Sequence, residues 1–105
     1  MVDPARYRIR VHKKVLTEDS RRFDQATKAK IKRKCLELLT TNREDAGEPL
    51  MGKLKGYRKL SIFNDYRVVY RVKKRKVVVL ILAVGIRRDL AVYESAVRRL
   101  KDEEG

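Results

Sequence analysis

A chain of 105 residues is long enough for one domain and too short for two, so residues 1–105 are read as a single unit. One cysteine and one histidine exclude an internal disulfide and a four-ligand zinc site, and no apolar run approaches the roughly 20 residues that span a bilayer. Lys plus Arg number 28 against 14 Asp plus Glu, and the net charge of +14 points to a polyanionic partner, nucleic acid before a membrane surface or an acidic protein.

The first element is "RYRIRVH" (6–12), in which Tyr7, Ile9 and Val11 alternate with Arg6, Arg8, Arg10 and His12. Period two over seven residues predicts a strand. His12 has no acid or cysteine nearby in this pattern and reads as a surface histidine. "VLTEDSRRF" (15–23) is polar and predicts a short helix or an irregular turn. In "DQATKAKIKRKCLELLTTN" (24–42), Asp24 is a natural N-cap, and Ile31, Cys35, Leu38 and Leu39 recur at helical spacing. Cys35 on that stripe reads as core. Lys28, Lys30, Lys32, Arg33 and Lys34 crowd the rest of the helix. "REDAGEPLMGKLKG" (43–56), with three glycines and a proline, predicts a loop.

Three strands follow closely. "YRKLSIF" (57–63) turns through "ND" into "YRVVYRV" (66–72), and "KKRK" turns into "VVVLILAVG" (77–85). The last is apolar on both faces, as an interior strand should be. Asp89 then caps a helix, "LAVYESAVRRLK" (90–101), with Leu90, Tyr93, Val97 and Leu100 as its stripe. The order predicts an α+β domain, β-α-α-β-β-β-α, built on an antiparallel four-stranded sheet. The first strand is expected antiparallel to the apolar last one, with the helical hairpin and the C-terminal helix covering one face.

Face assignment by alternation then sorts the charges. Leu60 and Ile62 should point at the helices, with Tyr66, Val68, Tyr70 and Val72 of the next strand. Lys59, Ser61, Arg67, Val69 and Arg71 fall on the other face, while Arg58 falls in line with the buried set. Arg87 and Arg88 come at the exit of the last strand. Lys59, Arg67 and Arg87 therefore converge on one surface, which suits phosphodiester chemistry. RNA cleavage needs a base for the 2′-hydroxyl, charge to stabilise the phosphorane, and help for the leaving 5′-oxygen. Arginine stabilises well but is a poor base, and a tyrosine face can stack an unpaired base. The bland reading of the same residues is a solvated face with Tyr93 in the core. Pattern alone stops at a basic α+β domain with a nucleic-acid partner.

Residues 54–100, "LKGYRKLSIFNDYRVVYRVKKRKVVVLILAVGIRRDLAVYESAVRRL", resemble the RelE family of type II toxin–antitoxin toxins, within the RelE/ParE superfamily. The resemblance lies in the leucine–glycine loop, the basic strand, the "YR-V-VY" strand, the apolar strand ending in "VG-x-R" and the terminal "VY" helix. It implies a RelE-like fold and an endoribonuclease (an mRNA interferase) that cuts messenger RNA in the ribosomal A site. The RNA's own 2′-hydroxyl would attack, without metal or other cofactor, to leave a 2′,3′-cyclic phosphate. The implied roles are candidate base for Lys59, transition-state stabilisation for Arg67, leaving-group assistance for Arg87 and base stacking for Tyr93. Arg58, Arg71, Arg88, Lys53 and Lys55 are the implied supporting RNA contacts. Ser61 stands where the family carries a second basic residue. Placing Lys59 rather than Arg58 at the first basic position requires one residue fewer in the "ND" turn. The implied partners are a cognate antitoxin, the ribosome with its A-site message, and operator DNA reached through the antitoxin. The expected location is the cytoplasm, with no membrane involvement; the alternatives are a ParE-like toxin that binds DNA gyrase and a weakened member that mainly binds its antitoxin.

Overall fold

In the computed structural model, which describes residues 7–40 and 46–104, the elements follow the sequence pattern with one addition. They are β1 (Arg8–Val11), α1 (Lys13–Thr17), a 3-10 turn (Asp19–Arg22), α2 (Gln25–Leu39), β2 (Glu48–Pro49), a second 3-10 turn (Gly52–Leu54), β3 (Arg58–Ile62), β4 (Tyr66–Lys73), a third 3-10 turn (Lys74–Lys76), β5 (Val78–Ile86) and α3 (Ala91–Glu104). Arg6 and residues 41–45, which the sequence assigns to a strand end, a helix end and a loop, lie outside the described residues. Asp24 caps α2 as expected: its Oδ1 accepts the Thr27 N–H at 2.7 Å, satisfying one of the donors a helix start leaves open.

The strands form one sheet of order β1-β5-β4-β3-β2. It has five strands rather than four, because Glu48 and Pro49 pair antiparallel with Lys59 and Arg58 at the edge. Proline is tolerated there because an edge strand has one side with no ladder bond to give. This extra pass reverses the sense of everything downstream. β1 therefore lies parallel to β5, with Ile9 opposite Val79, and the expected antiparallel pairing is corrected.

The two faces carry separate cores. Leu60, Ile62, Val68, Tyr70, Val79 and Ile81 pack with Ile31, Cys35 and Leu39 of α2. On the other face Val69, Leu82 and Ala83 pack with Val92 and Ala96 of α3. The C-terminal helix thus covers the face opposite α2, correcting the expectation that all helices share one face. A strand apolar on both sides requires it, since a sheet covered only by α2 would leave Leu80 and Leu82 in water. A bulge in the β4–β5 register at Val69 and Tyr70 turns the adjacent Leu82 and Ala83 toward the same helix. Cys35 is buried as predicted, and burial pushes its thiol up to about 12.

β1 ends at Val11, so β5 beyond Ile81 has no strand on that side. Side chains replace the missing neighbour. The Val84 N–H donates to Asp19 Oδ2 at 2.9 Å, and the Leu82 carbonyl accepts from Arg99 Nη1 at 3.0 Å. Arg99, 2 % exposed, also donates to both Asp19 carboxylate oxygens at 2.8 Å and to Glu18 at 3.2 Å. Burial opposes its charge, but the bonds to Asp19 and then Glu18 outweigh burial and hold its pKa above the usual arginine value.

His12 is buried, not a surface histidine. Its Nδ1 accepts the Lys14 N–H at 3.1 Å, capping α1, and its Nε2 lies 3.1 Å from Asp102 Oδ2. Glu103 of the same helix end bonds Arg10 and sits 3.8 Å from Lys73 Nζ. Contacts to the first strand and α1 thus fasten the far end of α3.

Candidate functional site

The site is laid out by strand register. Ser61 lies opposite Arg67, Lys59 opposite Val69, and Arg67 opposite Gly85. Lys59 is therefore a diagonal neighbour of both Arg67 and Arg71, about 7–8 Å away in a regular sheet. Leu60 and Ile62, each 1 % exposed, occupy the opposite face. Lys59, Ser61, Arg67 and Arg71 consequently share the face that also carries α3.

That face is not fully open. Val69, at the centre of the cations, is completely buried under the α3 layer. The helix can come close because position 85 is glycine: a Cβ there would fall 2.7 Å from Val92 Cβ, a spacing real side chains do not reach. Tyr93, one residue further along α3, is half-buried against the same core. Asp89 Oδ1 accepts the Ala91 N–H at 2.9 Å and opens the helix at that point. The cations thus form a rim between the β3–β4 surface and the first turns of α3.

Arg87 leaves β5 at the end of this rim. Its N–H donates to the Asp65 carbonyl at 2.8 Å and its Nη1 to the Asn64 carbonyl at 3.4 Å, tying the strand exit to the β3–β4 turn. The turn has both central residues left-handed, Phe63 at φ 52° and Asn64 at φ 60°, closed by Asp65 N–H to the Ile62 carbonyl at 3.1 Å. With Ile62 paired to Tyr66 the connection spans three residues, 63–65, so Phe63 belongs to the turn and not to the strand end that the sequence predicts. Arg71 stacks over the Tyr57 ring at 5.7 Å, whereas Arg67 makes no hydrogen bond or ion pair among the described residues. Arginine held with donors unused is suited to clamp a phosphate.

The remaining sequence candidates spread out. Lys53 and Lys55 are exposed on and beside the second 3-10 turn, which Leu54 anchors in the α3 layer, so they border the same face. Arg88 is exposed past the strand exit. Arg58 does not join the rim. It lies opposite Tyr70 on the α2 face, and its Nη2 donates to the Gly47 carbonyl at 2.9 Å.

Glu48 is the residue that sequence reasoning missed. Its carboxylate lies 3.6 Å from Lys59 Nζ, delivered by β2. The segment "GEPL" reads as loop, and only the edge pairing puts the acid opposite the lysine. Among the described residues no group of three or more His, Cys, Asp or Glu is positioned to hold a metal ion.

Comparison with known proteins places this geometry in context. Residues 5–91 match the family described as the ParE toxin of the type II toxin–antitoxin system parDE. The chain is 34% identical over 80 residues to the mRNA interferase toxin RelE of Escherichia coli, covering 76% of this chain and 83% of that protein. A solved structure of an E. coli RelE arginine-to-alanine mutant in the free state superposes with a TM-score of 0.71 at 29% identity, covering 90% of this chain and 98% of the other. The toxin of the intact E. coli RelBE toxin–antitoxin complex gives a TM-score of 0.61 at 29% identity, covering 75% and 94%.

Proposed function

Because this chain belongs to the RelE/ParE superfamily of type II toxin–antitoxin toxins, we propose that it is a ribosome-dependent mRNA endoribonuclease neutralised by a cognate antitoxin. The observation that carries this reading is the register of Lys59, Arg67 and Arg71 around buried Val69, at the edge of the helix that presents Tyr93.

The geometry supports the following chemistry. A bond forms between the 2′-oxygen and the adjacent phosphorus while the bond from phosphorus to the 5′-oxygen breaks, leaving a cyclic phosphate and a 5′-hydroxyl. The Lys59–Glu48 pair takes the 2′-hydroxyl proton: lysine acts as a base only when neutral, whereas a carboxylate accepts directly. Arg67 donates to the equatorial oxygens as negative charge builds on the phosphorane. Arg87, held by the turn carbonyls, stabilises the charge on the departing 5′-oxygen, which takes up a proton from water to become the 5′-hydroxyl. Tyr93 stacks an unpaired base and holds the message in line. Ser61, directly opposite Arg67, contributes no charge to this cluster, and the chemistry runs with one cation fewer than its family pattern.

No helix among the described residues is long and apolar enough to cross a membrane, consistent with action in the cytoplasm on translating ribosomes. Operator DNA is reached only through the antitoxin in this reading. The family match to ParE supports a second reading, inhibition of DNA gyrase by binding. In-vitro translation followed by primer extension separates the two. Cuts within A-site codons are expected; intact message together with blocked supercoiling would establish the gyrase reading instead.

A further inference from the structure

Arg71 is the cation of the rim that the proposed chemistry leaves without a task. It is exposed, and it makes no hydrogen bond or ion pair among the described residues. It is nonetheless held in place, with its guanidinium carbon 5.7 Å from the centre of the Tyr57 ring. That ring is a fixed platform. Tyr57 is buried, its N–H donates to the Leu54 carbonyl at 2.9 Å, and its own carbonyl accepts the Leu50 N–H at 2.9 Å. A guanidinium lying over a ring keeps the N–H donors at its edge for a phosphate. A charged side chain already immobilised also loses little freedom when it binds.

Position separates Arg71 from the phosphate that Arg67 serves. Ser61 pairs with Arg67, Lys59 with Val69 and Arg58 with Tyr70, so Tyr57 and Arg71 make the next row of the hairpin. Four positions along a strand are about 13 Å. Arg71 leans on Tyr57 across that distance and is placed for a second phosphate of the same strand. Acids mark its surroundings. Glu48 lies 3.6 Å from Lys59 Nζ and Glu103 lies 3.8 Å from Lys73 Nζ, so the cations before and after Arg71 are compensated and Arg71 is not.

The roles proposed above also give the strand a direction. The Lys59–Glu48 pair takes a proton from the 2′-hydroxyl of the nucleotide on the 5′ side of the cleaved linkage. Arg87 faces the departing oxygen of the nucleotide on the 3′ side. Along the sheet the order is Arg87, Arg67, Lys59, Arg71, which puts Arg71 on the 5′ side. We propose that Arg71, seated on Tyr57, binds one of the first two phosphates 5′ of the cleaved linkage and so sets the register of the message. This rests on the nuclease reading above and adds to it a subsite outside the reacting atoms.

The test measures A-site cleavage on purified ribosomes whose message carries one methylphosphonate, a neutral linkage. It is placed at the first or second position 5′ of the cut, or at the first position 3′ of it. Wild type, Arg71→Met and Arg71→Lys are compared over a range of ribosome concentrations. On unmodified message Arg71→Met should raise KM about tenfold with kcat unchanged. One of the 5′ methylphosphonates should raise the wild-type KM by a similar factor and have no further effect on Arg71→Met. Arg71→Lys keeps the charge and should recover part of both the affinity and the sensitivity. Because Arg71 is exposed, both variants should melt as wild type does. A wild-type KM in Arg71→Met would overturn the proposal, as would losses that add at both 5′ positions or coupling confined to the 3′ side. Those results would leave the nuclease reading standing, whereas a wild type that cuts no message removes both.

Discussion

Two arginines of this fold show opposite uses of one side chain. Arg99 sits at the free edge of β5 with its donors taken by Asp19, Glu18 and a backbone carbonyl, almost wholly out of water. Arg67 sits on the next strand, β4, on the same face as α3, with neither carboxylate nor carbonyl engaged among the described residues. The first is a cross-link between α3 and the turn after α1. The second, in the function proposed above, is a donor set for a phosphate. Burial with full compensation marks a structural arginine, whereas a half-buried arginine without compensation fits the binding role proposed for Arg67. Sequence composition alone cannot separate them, since the groups that neutralise Arg99 lie some 80 positions away.

The comparison is most severely tested by truncating each arginine. Arg99→Ala leaves the Asp19 carboxylate buried without its partner and should lower stability by about 3–5 kcal/mol, read in urea unfolding. A loss below about 1 kcal/mol would make the cluster an ordinary surface ion pair. Arg67→Ala should do the reverse: cleavage falls by about 10²–10³-fold, or about 3–4 kcal/mol of transition-state stabilisation, while the unfolding curve stays put. An Arg67 variant that still cuts at the wild-type rate would remove this residue from the site.

Ser61 sharpens the comparison from the other direction. Ser61→Lys places a second cation directly opposite Arg67. Cleavage should rise by roughly tenfold, while like-charge repulsion across the pair costs about 0.2–1 kcal/mol of stability. An unchanged rate would show that the existing rim already saturates the phosphate.

The smallest effect concerns Asp24, a charge that neither buries nor binds substrate. Hydrogen bonds from Thr27, side chain first and then backbone, hold its carboxyl below the usual aspartate value of about 3.9. Its folded pKa is depressed, so its contribution is fully present above that usual value and lost as pH falls through the folded one. Asp24→Ala should therefore melt slightly below wild type at neutral pH, with the two melting temperatures converging in acid. A gap that persists at pH 2 would assign the effect to helix propensity rather than to the charged cap.

Much of this protein was legible residue by residue. Alternation put Leu60 and Ile62 on one face and Lys59, Ser61 and Arg67 on the other, and the register of β3 and β4 agrees. The α2 stripe and its Asp24 cap were readable because each involves residues within a turn or two of one another. The failures involve distance along the chain. The two-residue strand β2 has too few positions to show a period, and missing it inverted the predicted direction of β1 against β5 and hid Glu48 from the site. His12 looked solitary because its acid lies 90 positions away, and the Arg99–Asp19 cross-link spans 80.

The sequence by itself determined what each segment is and which side chains share a face, because helix and strand periods are properties of contiguous residues. It also set the cationic balance that demands a polyanion. Tertiary structure alone decided which segments meet: the parallel seating of β1, the second helix layer that narrows the basic face to a rim, and the acids that neutralise Arg99 but leave Arg67 uncompensated. Those outcomes depend on closing long loops around a core whose two faces must both be covered, and no local pattern encodes that closure.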